Sequence, residues 1–264
     1  MPTVKDKYGF FPGSVWDIKR GSALREAIGD LHGEGTRRSE DAKYLPGLKY
    51  SSFNPDLAKR VIEYWSKKGN TIVDPFAGHS TRMLVAKLLN RNYIGFEVGP
   101  KAHSELMDSL EQRQMGLLEE KTKVDIRFED GCIMSSLKSE SADLIFTCPP
   151  YWNIEVYEEV ANELSHCKDY DTFLSRIRWA SSSCFRVLKP GKFMVWVVAD
   201  FRKDGFKVFH RDCLDIFEQS GFHIWDIVIN VLHSALAWAQ IGKCEQHRYT
   251  SKVHEYVLVA KKEG

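Results

Sequence analysis

Three short stretches put chemically useful residues at the ends of apolar runs. In Val73-Asp74-Pro75-Phe76-Ala77-Gly78-His79-Ser80-Thr81, an apolar run meets an acid, a tight turn and then a helix. A small residue such as Gly78 lets backbone approach a ligand closely there, and Asp74 can meet a cationic group. Taken alone, the single-glycine turn fits an ordinary strand-to-helix connection equally well. In Tyr93-Ile94-Gly95-Phe96-Glu97, the next run ends in an acid 23 residues beyond Asp74 (97 minus 74). A carboxylate at that point can accept hydrogen bonds from both hydroxyls of a nucleoside ribose. In Leu144-Ile145-Phe146-Thr147-Cys148-Pro149-Pro150-Tyr151-Trp152, an apolar run ends in two prolines and two aromatics. Consecutive prolines stiffen the backbone and lack N–H donors, which leaves carbonyl oxygens free to point into a site, and an aromatic face beside them can stack on a planar base. Asp130, in Phe128-Glu129-Asp130-Gly131, suits either contact with an adenine amino group or a solvated turn.

Elements with a strict order must position these residues. From Thr71 onward short apolar runs alternate with helical segments: Thr71 to Val73, Tyr93 to Phe96, Val124 to Phe128, Leu144 to Phe146 and Phe193 to Val198. Such alternation predicts a parallel sheet covered by helices. Before it, Leu57, Val61, Ile62 and Trp65 recur at helical spacing behind the start signal Asn54-Pro55-Asp56. Phe222 to Val231 and His254 to Ala260 read as strands, and residues 232–253 between them carry no strong helical repeat. This predicts an antiparallel pair at one edge of the sheet.

Composition narrows the classes. At 264 residues the chain can bury one substantial core, so one elaborated domain is expected. The formal charge of +1 is too small to announce a nucleic-acid binder, so any such contact must come from a local patch. Lys19, Arg20, Arg25, Arg37 and Arg38 give the leading segment a basic character that suits either phosphate contacts or a solvated arm. Six cysteines lie far apart without zinc-ligand spacing, which reads as reduced thiols in a cytoplasmic protein. No stretch approaches the roughly 18 apolar residues of a membrane span.

Together these segments resemble the motifs of the DNA amino-methyltransferases that act on cytosine N4 or adenine N6. The resemblance spans roughly residues 50 to 262 and implies a Rossmann-like α/β methyltransferase fold that depends on S-adenosyl-L-methionine (SAM), with a mostly parallel seven-stranded sheet and an antiparallel edge pair. It divides the chain into an N-terminal extension, 1–50, as a DNA-contacting arm, and a methyltransferase domain, 51–264, with inserted loops at 152–170 and 232–253. By resemblance, Asp74, Phe76, Gly78 and Glu97 bind SAM together with Asp130, and the helix begun by Phe53-Asn54-Pro55 is similar to the family's cofactor-covering segment. Cys148, Pro149, Pro150 and Tyr151 form the catalytic loop, with Trp152 beside it toward DNA. Phe185 to Gly191 is similar to a structural element widespread in methyltransferases, and His254-Glu255-Tyr256 also looks familial.

The resemblance implies DNA methylation with base flipping, a restriction-modification setting, and DNA as partner, with room for a cognate nuclease or a homodimer. Two residues depart from the family pattern. His79-Ser80 replaces a small residue and a second glycine, and Cys148 stands where Asp, Asn or Ser is usual. A thiol is a weak acceptor but close to serine in shape, which leans toward cytosine N4. Two rivals are set against this reading: Cys148 as the nucleophile of a pyrimidine C5 methyltransferase, which its place before both prolines disfavours, and a non-catalytic nucleic-acid-binding module on the same fold. Asp74→Ala and Glu97→Ala are expected to weaken SAM binding with the fold intact.

Overall fold

Strands buried on both faces need helices on both sides. The computed structural model describes residues 12–18, 53–114, 122–154, 158–232 and 241–264. Among them the main strands are β1 (Val15–Asp17), β2 (Thr71–Asp74), β3 (Asn92–Glu97), β4 (Val124–Phe128), β5 (Ala142–Thr147) and β6 (Leu188–Val198). A small hairpin, β7 (Phe201–Arg202) with β8 (Phe206–Lys207), precedes β9 (His223–Val231) and β10 (His254–Lys261). The helices are α1 (Pro55–Trp65), α2 (Thr81–Leu88), α3 (Pro100–Gln114), α4 (Tyr170–Val187), α5 (Phe209–Gln219) and α6 (Ile241–His247). Lys19, Arg20, Arg25, Arg37 and Arg38 lie outside the described residues.

The large sheet runs β1-β9-β10-β6-β5-β2-β3-β4. Only β10 opposes its neighbours, pairing antiparallel with both β6 and β9. The Rossmann-like class expected from the sequence is present. The late antiparallel pair also forms, but an eighth strand, β1, lies parallel outside it. That strand comes from the segment read as an extension. Three residues are too few for a periodic signal, and β1 is held by Trp16 and Ile18, both buried, with the Trp16 ring 6.0 Å from that of Trp65. A short edge strand also limits the row of unpaired backbone groups left to solvent. The helix α6 stands where no helical repeat was read. None of its residues is buried, so no apolar stripe marks it in the sequence.

Side-chain alternation divides the core in two. Ile72, Leu144, Phe146, Val195 and Val197 face α1, α2 and α3, whereas Val73, Ile145, Met194, Trp196 and Val198 face α4 and α5. Helix α1 starts where the sequence signals it: the Asn54 side chain accepts from the Asp56 N–H at 3.0 Å and Pro55 takes the first position. Its Leu57, Val61 and Ile62 are fully buried, stabilising by roughly 1.5–3 kcal/mol each.

From β2 the chain moves outward to β3 and β4, then returns to the other side of β2 as β5 and β6. The order reverses between β2 and β5, and ligands of such sheets bind at the carboxyl ends of the strands at that reversal. Asp74 ends β2 and Thr147 ends β5, so the topology opens the crevice where the sequence places its two loops.

The loop after β4 closes against the crevice from below. A Cβ on Gly131 would lie 1.8 Å from the Pro75 carbonyl oxygen, a backbone atom that cannot yield cheaply. Gly131→Ala is therefore expected to destabilise the fold by about 1–3 kcal/mol, the usual cost of overpacking. Chemical denaturation beside Gly242→Ala, where an added Cβ meets nothing within 4 Å, checks it. Equal midpoints for the two variants would sink the idea.

Candidate active site

Asp74 is fully buried, and its charge is met by the chain itself. Oδ2 accepts from Arg82 Nε at 2.6 Å and from the Tyr93 hydroxyl at 2.7 Å. Oδ1 accepts from the Thr147 hydroxyl at 2.6 Å and from the Phe76 N–H at 3.1 Å. The cation expected opposite Asp74 is thus Arg82, in the first turn of α2, and not a ligand group. Burial works against the Arg82 charge, but Asp74 and, behind it, Tyr93 and Cys148 outweigh this and raise its pKa. Burial, followed by the Asp74 charge, pushes the Tyr93 phenol well above its ordinary range. The Arg82 Nη2 also donates to the Phe76 and Ala77 carbonyls at 2.6 and 3.2 Å, stapling the turn that leads to Gly78.

Gly78 has φ +49°, in the left-handed region that glycine enters without strain. Its N–H donates to Glu97 Oε2 at 3.1 Å, while the Gly99 N–H donates to Oε1 at 2.7 Å. Each oxygen keeps a further acceptor position, enough for two ribose hydroxyls. The space is there as well, since a Cβ on Gly78 would meet only the Phe76 carbonyl oxygen, at 3.9 Å. This donor and acceptor set fits the nucleoside half of SAM. Burial lifts the Glu97 pKa to about 7; the Gly99 N–H pulls it down and the neighbouring Glu163 charge pushes it up.

Glu163 belongs to the inserted loop 152–170. Its Glu158 and Glu163 lie beside the end of β3. Glu163 itself is raised by burial, although it accepts from the Ser165 N–H at 3.0 Å. Glu158 accepts from the Lys101 and Ala102 N–H groups at 2.9 and 3.0 Å, a favourable place for a carboxylate at the first turn of α3. Asp130 is engaged too: Oδ1 accepts from the Cys132 N–H at 2.9 Å and Oδ2 pairs with Arg176 of α4 at 2.7 Å. Asp130 is thus held in place and not merely solvated, and, as in Glu97, each oxygen keeps a further acceptor position.

The remaining expected residues separate. Phe53 sits over Arg82, 5.0 Å from ring centroid to guanidinium carbon, and edge-on to Phe146 at 5.7 Å. The Asn54 side chain is spent on its helix cap. The Phe76 ring packs edge-on to Trp196 at 6.0 Å. Cys148, Pro149 and Pro150 follow Thr147 directly, so the hydrogen bond from Thr147 to Asp74 ties their loop to the Gly78 turn. Tyr151 is half-buried, edge-on to Phe201 at 5.7 Å and to Phe209 at 6.2 Å. Trp152, expected at a DNA surface, is only 6% exposed, and its indole N–H donates to the Cys167 carbonyl at 2.8 Å. It anchors the loop; a large aromatic that finds both apolar cover and an acceptor has no reason to stay in water.

Sequence reasoning missed Arg82, Tyr93 and Thr147. One local signal was available for the first: Arg82 heads the run Met83-Leu84-Val85-Ala86, all buried, and a charge drawn into the start of a buried helix has to find a partner. Nothing local marks the other two.

Comparisons with known proteins bear on the family and the fold. The family model of N6/N4 DNA methylases matches residues 7–108 and 142–264. A Type II methyltransferase of Methanothermobacter thermautotrophicus is 24% identical, covering 54% of this chain and 46% of the relative. The chain spans less than half the length of the curated relatives it matches. Among solved structures, a SAM-dependent methyltransferase from Methanosarcina mazei superimposes with a TM-score of 0.54 at 13% identity, covering 77% of this chain and 97% of that one. The [4+2]-cyclase SpnF does so with 0.55 at 15% identity, covering 91% and 93%. The fold therefore hosts more than one chemistry, and the site has to carry the functional argument.

Two outcomes are expected. Asp74→Ala strands the buried Arg82 charge, and breaking such a pair costs about 3–5 kcal/mol. Contrary to the expectation from sequence, this variant should lose fold stability together with any cofactor binding, as thermal unfolding would reveal. The second outcome concerns pH. Because the Glu97 pKa is raised from 4.5 to about 7, its contribution to stability is complete below pH 4.5 and lost as pH rises through about 7. Ribose hydroxyls donate to the ionised carboxylate, so SAM affinity should rise as pH climbs through the same range. Calorimetry between about pH 6 and about pH 8 should show this rise in the native chain and a flatter response in Glu97→Gln; matching slopes would remove Glu97 from the ribose.

Proposed function

Because the chain belongs to the N6/N4 DNA methylase family, we propose that it transfers a methyl group from SAM to the exocyclic amino group of a base in DNA. Cytosine N4 is favoured over adenine N6, since Cys148 is close in shape to the serine usual in that branch. The observation that carries the reading is the direct tie at the reversal of strand order. The hydrogen bond from Thr147 to Asp74 holds the Pro149-Pro150-Tyr151 loop against the Gly78–Glu97 turn, so a target and a nucleoside cofactor have adjoining places.

An exocyclic amine is a poor nucleophile because its lone pair is delocalised into the ring. Acceptors that hold its hydrogens out of plane restore the lone pair, and the Cys148 and Pro149 carbonyls, freed by the prolines that follow them, suit that task. Tyr151 offers the stacking face for a base drawn out of the duplex. SAM supplies an already activated methyl group, so the residues contribute orientation and preorganised acceptors. Glu97 and the Gly78 turn position the nucleoside half; Asp74 and Arg82 hold the turn.

DNA needs a basic approach, and the described residues supply one beside the loop. Arg202 lies over the rings of Phe206 and Tyr249 at 4.7 and 4.4 Å, and Lys252 over Phe206 at 4.9 Å. Lys207 lies over Tyr170 at 4.8 Å. The hairpin β7–β8 that carries Arg202 and Lys207 also carries Phe201, one of the rings against Tyr151. Basic groups interleaved with aromatics suit a strand whose bases and phosphates both need contacts. Lys19, Arg20, Arg25, Arg37 and Arg38 would add to this surface as an arm, with a cognate nuclease or a second copy as further partners. Among the described residues no helix is long and apolar enough to cross a membrane.

Mass spectrometry of nucleosides from unmethylated DNA incubated with the protein and SAM should reveal N4-methylcytosine or N6-methyladenine; 5-methylcytosine or no product would refute the proposal. Tyr151→Ala should keep SAM affinity but lose roughly one to two powers of ten in single-turnover transfer, the worth of about 1–3 kcal/mol of stacking. Tyr151→Phe should be much milder. Near-normal transfer by the alanine variant would make the loop merely structural.

A further inference from the structure

The end of β6 carries a polar cluster that the mechanism above does not use. Beyond Val198 the chain reaches Asp200, whose side chain is nearly buried. His210 Nδ1 lies 2.7 Å from Asp200 Oδ1, and the His210 backbone N–H donates to the same oxygen at 3.2 Å. The His210 ring stacks on Tyr256 of β10, with centroids 4.0 Å apart and planes 18° from parallel. The Tyr256 hydroxyl lies 3.2 Å from His254 Nε2 and 3.5 Å from Asp200 Oδ2. His254 and Tyr256 open the strand that the sequence analysis singled out and the functional reading left without a task.

The cluster sets the tautomer of His210. A carboxylate only accepts, so the hydrogen of a neutral ring resides on Nδ1, and Nε2 is left as an acceptor. The stack on Tyr256 and the Nδ1 contact to Asp200 fix the plane of the ring. No described group bonds Nε2, and the side chain keeps 24% of its exposure. The cluster is joined directly in the chain to the rings that hold Tyr151. Phe201 follows Asp200, Phe209 precedes His210, and both rings pack on Tyr151.

Besides the Cys148 and Pro149 carbonyls, the catalytic loop brings only a weak side-chain acceptor ahead of its prolines. Its first side chain is the thiol of Cys148, a weak acceptor, whereas a target amino group presents two hydrogens to be held. We propose that His210, oriented by Asp200 and Tyr256, accepts one hydrogen of the target amino group through Nε2 and so takes the part that the Cys148 side chain performs poorly. The inference rests on the amino-methyl transfer proposed above and names a substrate-contacting residue for it, with Asp200 and Tyr256 as positioning residues.

The test separates an acceptor from a packing role. His210→Leu fills similar space without an acceptor, and His210→Gln restores an acceptor oxygen near the place of Nε2. Each full-length variant is given SAM and saturating amplified, methylation-free genomic DNA, and single-turnover transfer is measured beside SAM and DNA affinity. His210→Leu should lose about tenfold in transfer, the worth of one hydrogen bond made in the transition state, with both affinities within about twofold. His210→Gln should recover most of that loss. Equal rates for the leucine and glutamine variants would overturn the proposal, as would a leucine variant that only binds DNA more weakly. A native chain that leaves DNA unmodified would instead overturn the transfer reading and this inference with it, so the two failures are told apart by the native control.

Discussion

A single carboxylate, that of Asp74, holds fold and site together. It is a charge removed from water, a costly state that persists only when partners replace the lost solvation. Here they come from the turn itself (Phe76 N–H), from α2 (Arg82), from β3 (Tyr93) and from β5 (Thr147). Three adjacent strands are thereby bound together, β2 and β5 at their carboxyl ends and β3 through Tyr93 near its start. Arg82 extends the same network to the Phe76 and Ala77 carbonyls, so the path of the turn up to Gly78 is set by hydrogen bonds and not by side-chain packing alone. On the far side of the turn Gly131 lies flush against Pro75, which leaves the segment no room to relax.

Charge is distributed unevenly around this centre. Toward β3 the acids Glu97, Glu163 and Glu158 gather, and the described contacts that satisfy them are backbone N–H groups. Burial and mutual repulsion raise Glu97, whose remaining acceptor positions face a ligand that brings donors. Toward β6 the acids find side-chain partners within the protein: Asp200 beside His210, and Asp212 accepting from the Tyr170 hydroxyl. The surface there carries Arg202, Lys207 and Lys252 over aromatic rings. One end of the sheet thus offers an acidic half suited to a cationic cofactor and a basic, aromatic half suited to a polyanion.

Family membership and site geometry agree without being the same argument. The sheet order is shared with proteins of other chemistry, the cyclase among them. What the site adds is the tie between two loops 73 residues apart, which holds both against the same end of the sheet.

Local chemistry was legible from the residues alone. The parallel strands, the acids at their ends, the Asn54-Pro55 helix start and the Pro149-Pro150-Tyr151 loop are written in side-chain type and short-range period, which act within a few residues of themselves. The partners were not legible. Asp74 looked ready for a ligand until Arg82 was seen to hold it, Trp152 looked exposed until Cys167 offered its carbonyl, and β1 had no period to betray it. The sequence by itself determined which groups stand at the strand ends. The tertiary structure decided which are free to meet a ligand, because a buried charge or indole takes whichever partner the topology brings nearest, and that partner is chosen by strand order across dozens of residues and not by its neighbours in the chain.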